Sequence, residues 1–316
     1  MIDPHVHCRD GRQSYKETIA HVFMIAKQQG IKKIFDMPNT DPPLLRRNDV
    51  QKRLLLVPRK HRRNYFVYMG ATQNAGQLAE AVRCYNTMPR VIGFKLYAGK
   101  STGDLAVVKT EGQLFIYKTL TKLGYRGVLA VHSEKEARMK NEFDPRNPIS
   151  HARNRPPSAE IESVKDQIEF AKRANFKGIL HISHISTPEA VALVEKARAE
   201  IRITCGITPH HLMWDDSKLL GPGGIFYKCN PPLRDAKRVR RMQKLLVEGK
   251  IDWIETDHAP HSLEEKFLPP YASGYPALYL YAYTRDIFLP KIGTSPKQIR
   301  QVTYDNILRA FKQVSP

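Results

Sequence analysis

Short runs of β-branched and aromatic residues, bounded by turn residues, recur along the whole chain and predict its secondary structure. Eight runs have the length and composition of strands: Met1–His7, Lys32–Met37, Tyr65–Gly70, Val91–Tyr97, Gly127–His132, Gly178–His184, Ile201–Ile207 and Trp253–Thr256. Between them, apolar residues return at helical spacing over Tyr15–Gln29, Ala75–Tyr85, Glu111–Leu123, Ala159–Ala174, Pro188–Ala199 and Arg238–Glu248. Strand and helix therefore alternate along the chain.

The alternation ends in two further helical stretches, Tyr275–Phe288 and Pro296–Lys312. It predicts an α/β fold, a parallel (β/α)8 TIM barrel, with a doubly wound open sheet as the alternative. No linker or internal repeat interrupts the pattern, so a single domain over residues 1–316 is expected. The longest irregular stretch, Asn141–Ser158, is rich in Pro and Arg and is typical of an active-site loop.

The composition of the chain indicates the cellular compartment in which it is expected. Hydrophobic residues make up 41% and charged residues 26% of the 316 residues, and no apolar run approaches the length that spans a bilayer. The chain also starts without the layout of a signal peptide. Its 4 cysteines form no CxxC pair, which argues against a disulfide framework or a zinc ribbon. A soluble, cytoplasmic protein with reduced thiols is predicted.

The charge balance leaves several partners open. Lys and Arg number 51 against 31 Asp and Glu, a net charge of +20 that attracts nucleic acid, anionic membranes or small acidic substrates. The basic residues cluster in Arg59–Arg63 and Arg234–Lys244, without interleaved aromatics. Solvated helix faces explain such clusters better than a nucleic-acid site does, so neither a nucleic-acid nor a membrane partner is expected.

Residues that bind metals recur at the predicted strand ends, where TIM barrels carry their active sites. His5 and His7 lie two apart, so both imidazoles face the same side of strand one. Paired histidines suit Zn²⁺, although a lone His-x-His also occurs on ordinary strands. Agreement between five strand ends is stronger evidence, and the residues involved are His5, His7, Lys95, His132, His184 and Asp257. The pattern indicates a metal-dependent hydrolase.

Lys95 is unusual because its neighbours in the predicted strand are apolar, and a buried ammonium group is costly without a partner. One interpretation is a salt-bridged or snorkelling lysine. The other is a lysine whose depressed pKa lets the neutral amine add CO₂, which yields a carbamate able to bridge two metals. Lys95 would then act as a carboxylate ligand.

Other histidines compete for the same site. His181 and His184 lie three apart and face opposite sides of a strand; His184, nearer the strand end, is predicted to enter the barrel, and His181 to pack towards the helices. His210 and His211 are interpreted as structural or as supports for the ligands. Asp257 is the candidate general base, although an aspartate at a strand end can also cap a helix or form an ion pair.

Six stretches resemble the dihydroorotases of the amidohydrolase superfamily, and they are spread over nearly the whole chain. They are Asp3-Pro4-His5-Val6-His7-Cys8-Arg9-Asp10, Met37-Pro38-Asn39-Thr40, Phe94-Lys95-Leu96-Tyr97, His184-Ile185-Ser186-Thr187, Asn230-Pro231-Pro232-Leu233-Arg234 and Thr256-Asp257-His258-Ala259-Pro260-His261. The resemblance implies reversible cyclisation of N-carbamoyl-L-aspartate to L-dihydroorotate in pyrimidine biosynthesis.

The resemblance also implies a metal arrangement. Two zinc ions per chain are expected, the first held by His5, His7 and Asp257 and the second by His132 and His184. An N6-carboxylated Lys95 would bridge them. In this scheme a hydroxide between the metals is the nucleophile and Asp257 is the general acid and base.

Substrate residues follow from the same resemblance. Arg9 and Asn39 look like a clamp for the substrate carboxylate, with His261 in the same group and Asn230, Ser273 and Gly274 at the ring. A salt bridge to Asp10 is the alternative role for Arg9. Residues 98–104 resemble a substrate-covering loop in which Ser101 and Thr102 donate hydrogen bonds, although a plain βα turn is the alternative.

The chain starts four residues before His5 and ends at Pro316, so a barrel-only form without the flanking β-sandwich of the superfamily is expected. A homodimer and an association with aspartate transcarbamoylase are the expected assemblies. The competing functions are another cyclic amidohydrolase (dihydropyrimidinase, hydantoinase or allantoinase), a non-enzymatic scaffold and a nucleic-acid binder. Metal content and a need for the substrate carboxylate would separate them.

Overall fold

The structure of the chain is a computed structural model. It describes residues 1–100 and 105–314. Ser101 and Thr102, the two residues predicted to cover the substrate, lie outside the described residues. The remaining predicted site residues all lie within them.

Eight parallel strands form one sheet in which each strand pairs with the next in the chain, which confirms the predicted TIM barrel. Their bounds agree with the predicted strands to within a few residues. They are β1 Ile2–Val6, β2 Lys33–Asp36, β3 Tyr65–Gly70, β4 Val91–Tyr97, β5 Val128–His132, β6 Ile179–Ile182, β7 Ile203–Ile207 and β8 Trp253–Ile254.

Helices follow the strands and surround the sheet. The α-helices are α1 Ile19–Gln28, α2 Arg47–Leu56, α3 Ala75–Thr87, α4 Thr110–Lys122, α5 Ser150–Asn154, α6 Pro157–Arg173, α7 Pro188–Ala197, α8 Pro209–Met213, α9 Ala236–Val247, α10 Leu263–Phe267, α11 Tyr281–Tyr283, α12 Leu289–Lys291, α13 Pro296–Arg300 and α14 Asn306–Ala310. Short 3₁₀ turns are Arg59–His61, Glu136–Arg138, Asp216–Leu219, Pro222–Tyr227 and Ala277–Leu280, and π-helical turns are Thr284–Phe288 and Gln301–Asp305. No helix in the described ranges is both long and apolar enough to cross a membrane.

Two apolar layers hold the barrel, because successive strand residues point alternately inwards and outwards. The outer layer lies between strands and helices and contains Val6, Leu180 and Ile182 among many others. The inner layer fills the barrel below the candidate site with Phe35, Trp253 and others, and the last helix contributes Ile307. The inner layer therefore forms an apolar floor beneath the candidate site.

The barrel closes between β1 and β8 without a regular ladder among the described residues. A single parallel bridge joins Val6 to His258, and the Asp257 amide donates to the His5 carbonyl at 3.0 Å. Asp3 accepts hydrogen bonds from the Thr256 amide at 3.1 Å and the Thr256 hydroxyl at 2.5 Å. Burial raises the pKa of Asp3 to about 7, although these hydrogen bonds favour its charged form.

Helix α2 was not predicted, because its residues lack helical apolar spacing. In the structure, Val50 and Arg53 are its buried residues. Arg53 is buried and donates to Oδ2 of Asp36 in β2 at 2.7 Å. Asp36 Oδ1 in turn accepts from the Cys8 amide at 2.8 Å. An ion pair, rather than an apolar stripe, therefore fixes α2 against the strands and supports the segment between His7 and Arg9.

Candidate metal centre and substrate cavity

A cavity of about 380 Å³ opens at the C-terminal end of the barrel. It brings together residues from six of the eight strand ends and the loops that follow. Its lining comprises His5, His7, Arg9, Asn39, Lys95, Tyr97, His132, His184, Asn230, Asp257, Ala259, Ser273 and Gly274. Every predicted site residue except His261 is in this set, and we call the space the inner cavity.

His5 in β1 and His7 directly after it face the interior together, as their spacing predicts. His7 Nε2 lies 2.9 Å and His5 Nε2 3.2 Å from the same Asp257 oxygen. Burial alone would raise the pKa of Asp257, but His5 and His7 hold it well below 3.8. Burial lowers the pKa of His7 to about 4. At neutral pH the cluster therefore contains a carboxylate and a neutral His7.

Three site residues have left-handed backbone conformations that non-glycine residues rarely adopt. The φ angles are +52° at Arg9, +40° at His184 and +49° at Asp257. Each residue follows the end of its strand, so the backbone turn, and not strand alternation, sets the direction of its side chain. Concentration of this strain at the cavity is typical of a functional site.

His132 and His184 form the second histidine pair. His132 Nε2 lies 3.0 Å from Glu134 Oε2, and His132 Nδ1 lies 3.2 Å from His184 Nε2. Arg155 holds Glu134 with a hydrogen bond of 2.6 Å. Burial would raise the pKa of Glu134, but Arg155 and His132 hold it well below 4.5. Glu134 therefore keeps the proton on Nε2 and leaves the Nδ1 lone pair directed towards His184.

Lys95 points into the interior from β4 and is 1% exposed. Its Nζ donates to Ser183 Oγ at 3.0 Å, and no carboxylate among the described residues forms an ion pair with it. Burial lowers the pKa of Lys95 to about 8, while Glu255 and Asp257 partly oppose this shift. The salt-bridged interpretation is therefore not supported, and a fraction of neutral amine is available at neutral pH.

Glu255 is a buried carboxylate that the sequence analysis missed. Its two-residue spacing from Asp257 in the sequence was the available signal, although β8 ends at Ile254, before both residues. Glu255 Oε1 lies 3.7 Å from His5 Nδ1 and accepts from the His184 amide, while Oε2 accepts from Trp253 Nε1 at 3.0 Å. A Cβ at Gly206 would lie 2.6 Å from the carboxyl carbon of Glu255, so glycine provides the space for this side chain.

The prediction that His181 packs towards the helices was wrong. Its ring stacks on the Trp253 ring inside the barrel, with 4.3 Å between the two ring centroids. His181 Nε2 lies 3.0 Å from Glu255 Oε2. Strand β6 ends at Ile182, so the alternation that was assumed to reach His184 stops before it. Both histidines consequently enter the interior, His181 below Glu255 and His184 above it.

The residues of the cluster fit bound metal ions. Both ring nitrogens of His5 and Nδ1 of His184 are buried without a hydrogen-bond partner. His7 Nδ1 lies 2.8 Å from Asn39 Oδ1, and His7 Nε2 lies 2.9 Å from an Asp257 oxygen. The ligand atoms of His5, His7 and Asp257 all lie within 4.8 Å of one another, close enough to bind the same cation. Nitrogen and carboxylate ligands of this kind suit Zn²⁺.

Arg9 lies at the inner cavity and is 2% exposed. It makes no ion pair with Asp10; Nε donates to the Pro260 carbonyl at 3.1 Å, and Nη2 donates to His261 Nε2 at 3.2 Å. Nη1 is buried without a partner. A buried guanidinium group with an unused donor is suited to bind a carboxylate.

Two buried lysines hold the loop that carries Ser273 and Gly274. Lys228 Nζ donates to the Tyr271 carbonyl at 2.6 Å and to Ser273 Oγ at 2.8 Å, and Lys266 Nζ donates to the Gly274 carbonyl at 2.7 Å. Gly274 has a φ of +155°, and a Cβ there would lie 2.4 Å from the Ala259 carbonyl oxygen. The loop therefore needs glycine at this position.

A larger cavity of about 1230 Å³ adjoins the inner cavity and shares Asn230 and Ser273 with it. We call it the outer cavity. Five cationic residues line it, namely Lys16, Lys100, Lys140, Arg155 and Lys228, against one carboxylate among its described residues, Glu265. His261 also lies here. The entrance to the site is therefore strongly basic.

Three curated relatives at 31–32% identity are named dihydroorotase. The relative from Methanosarcina mazei is 31% identical over 280 residues, covering 84% of this chain and 58% of the relative. The relative from Pyrococcus horikoshii is 32% identical over 283 residues, covering 88% and 57%. The relative from Methanosarcina acetivorans is 31% identical over 335 aligned positions, covering 98% and 67%. The chain thus spans a little under three fifths of the length of the first two.

Solved structures share the fold at low sequence identity. L-hydantoinase from Arthrobacter aurescens matches with a TM-score of 0.82 at 22% identity, over 98% of this chain and 70% of that one. Dihydroorotase from Campylobacter jejuni matches with a TM-score of 0.72 at 17% identity, over 98% and 82%. No protein-family model matches the chain. The match to the Methanosarcina acetivorans relative, over nearly all of this chain and two thirds of that protein, places the chain in the dihydroorotase family.

Proposed function

We propose that this chain catalyses the reversible cyclisation of N-carbamoyl-L-aspartate to L-dihydroorotate. The observation that carries the proposal is the meeting of six metal-binding side chains with Arg9 in one cavity. The metal-binding residues supply hydrolytic chemistry on an amide bond, and Arg9 supplies selectivity for a ring that bears a carboxylate. Hydantoinases and dihydropyrimidinases act on rings without this group, and the unpaired Nη1 of Arg9 disfavours such substrates.

The proposed metal content is two zinc ions per chain. His5, His7 and Asp257 would hold one ion and His132 and His184 the other, with N6-carboxylated Lys95 between them. Support comes from the ring nitrogens of His5 and His184 that lack partners and from the lowered pKa of Lys95. When bound, the ions would polarise the ring carbonyl and make a water nucleophile available near neutral pH.

The protein side chains would position the substrate and move the proton. Arg9 would bind the carboxylate through Nη1, and Asn230, Ser273 and Gly274 would contact the ring. Asn39, which contacts His7, would belong to the same clamp. Asp257, held as a carboxylate, would take the proton of the attacking water and deliver it to the leaving ring nitrogen.

In the biosynthetic direction the same steps run backwards. Asp257 would accept a proton from the carbamoyl nitrogen as that nitrogen attacks the side-chain carboxylate of the substrate, and a water molecule would leave. Closing a carboxylate into an amide consumes a proton overall, so low pH should favour dihydroorotate.

A dihydroorotate hydrolysis assay on the wild type and Asp257→Asn, with metal content measured on both, tests the proposal. We expect turnover by the wild type and a loss of about a thousandfold or more in the variant. Dihydrouracil and hydantoin, which lack the carboxylate, are the comparison substrates. Equal turnover of these compounds would overturn the assignment in favour of another cyclic amidohydrolase.

The proposed setting is a cytoplasmic homodimer that associates with aspartate transcarbamoylase. Sedimentation of the purified chain, alone and mixed with that enzyme, tests both assemblies. If the chain sediments as a monomer and does not co-sediment with aspartate transcarbamoylase, both assemblies are ruled out. The proposed activity is not affected by that result.

A further inference from the structure

A second group of metal-binding side chains lies beside the inner cavity and shares no residue with the set assigned above. His210, His211 and Cys229 each present a ligand atom, and these atoms all lie within 4.8 Å of one another. The three side chains are between 1% and 3% exposed. Imidazole and thiolate together are the ligands that Zn²⁺ prefers in closed sites.

His210 provides an independent indication of a missing ligand. Neither of its ring nitrogens has a hydrogen-bond partner, although both are buried. A neutral imidazole always carries one N–H donor and one acceptor. Leaving both unsatisfied in the interior is costly, and a bound cation would remove this cost at the acceptor nitrogen.

The ring of His211 is held on both sides. Its Nδ1 lies 2.8 Å from Thr208 Oγ1, a contact that fixes the ring orientation and that a metal-bound His211 would keep with its proton on Nδ1. Its Nε2 lies 3.0 Å from the Pro231 carbonyl oxygen, and Cys229 Sγ lies 3.2 Å from the same oxygen. Both distances are shorter than the roughly 3.3–3.7 Å that separates neighbouring ligands of tetrahedral zinc, so this oxygen is a hydrogen-bond acceptor for the two groups and not a further ligand.

We propose that His210, His211 and Cys229 bind a further zinc ion in a structural role. Binding would replace the thiol proton of Cys229 by the metal and release that proton to solvent. The site would tie the start of α8 to the segment that carries Asn230 into the inner cavity. It would thus hold one wall of the substrate cavity without taking part in the reaction.

Cobalt substitution tests the site directly, since a thiolate bound to Co²⁺ absorbs in the near ultraviolet and the six ligands proposed for the catalytic metals include no sulfur. We expect this absorption in the cobalt-loaded wild type and in Cys84→Ala, a control at a buried cysteine of α3. It should be lost in Cys229→Ala. Zinc-loaded protein should likewise fall from about three to about two ions per chain in Cys229→Ala alone.

His210→Ala is the second variant, in case Cys229→Ala does not fold, and it should also lose about one zinc ion. Absence of the sulfur band in wild type, or its persistence in Cys229→Ala, would overturn the site. A band without dihydroorotase activity would refute only the proposed function, whereas activity without the band would refute only this site.

Discussion

Arg9 Nη2 donates to His261 Nε2 across 3.2 Å, and this contact fixes the roles of both residues. A guanidinium group can only donate, so His261 accepts at Nε2 and carries its proton on Nδ1, which lies 3.1 Å from Glu265 Oε2. Burial and the nearby Arg9 charge lower the pKa of His261 to about 3. His261 therefore stays neutral and orients Arg9, which supports a positioning role.

Replacing Arg9 by Met should reduce kcat/KM for dihydroorotate by about a hundredfold or more, because the substrate carboxylate loses its cationic partner. Zinc content should stay unchanged, since Arg9 contacts none of the proposed metal ligands. Arg12→Met is a matched control on the surface, where Arg12 is 76% exposed. An equal loss of zinc and turnover in Arg9→Met would contradict this role.

Replacing Glu255 by Gln should weaken zinc binding by about 10–100-fold, because its carboxylate supports His5 and the His184 amide. The amide group has a similar shape but presents an N–H where a hydrogen-bond acceptor is needed. Competition with a chelator of known affinity measures the effect, and Glu264→Gln on the exposed side of α10 is the control. Unchanged zinc affinity would show that Glu255 serves only the fold.

The stability contribution of Lys266 should depend on pH. Burial lowers its pKa from 10.5 to about 8, so between these values the unfolded chain binds more protons than the folded one. The free energy of unfolding should therefore rise with pH, by up to about 1.4 kcal/mol per pH unit in that window. Lys266→Met lacks this contribution, whereas Lys118→Met on the exposed face of α4 retains it.

Urea unfolding of all three proteins at pH 8 and pH 10 measures the effect. The stability difference between wild type and Lys266→Met should move in favour of the wild type as the pH rises. A difference that does not change with pH would contradict the lowered pKa.

The basic outer cavity should attract anionic substrates. Lys140 lines it and has no carboxylate partner among the described residues, so Lys140→Glu should raise KM about two- to fivefold at low salt. The increase should largely disappear at high salt, which screens exposed charges. Lys118→Glu makes the same charge change elsewhere and should leave KM unaltered. A salt-independent change in Lys140→Glu would indicate a direct contact instead.

Much of the fold could be predicted because strand and helix periods differ clearly in this chain. Strand β4 occupies Val91–Tyr97, as predicted, and His5 and His7 face the same cavity because two-residue spacing is unambiguous in a strand. Such patterns depend on residues close together in the chain. They can therefore be recognised without knowledge of tertiary contacts.

The supporting carboxylates could not be predicted in the same way. Glu134 and Glu255 resemble ordinary charged residues until distant partners, Arg155 and His181, are placed beside them. The prediction for the direction of His181 failed for a related reason, since the end of β6 depends on a backbone turn that local composition does not reveal. Long-range ion pairs and strand ends are thus where sequence patterns lose their predictive power.

Closure of the barrel through Asp3 and Thr256 has a consequence for how the site can form. His7 and Asp257, which share one proposed metal, are 250 residues apart in the chain, and the contacts beside them join the first strand to the last. Contacts of such sequence separation form late, because a very long loop must be closed first. During synthesis, the centre can assemble only after the chain through Asp257 has left the ribosome, so zinc would enter a barrel that is already built.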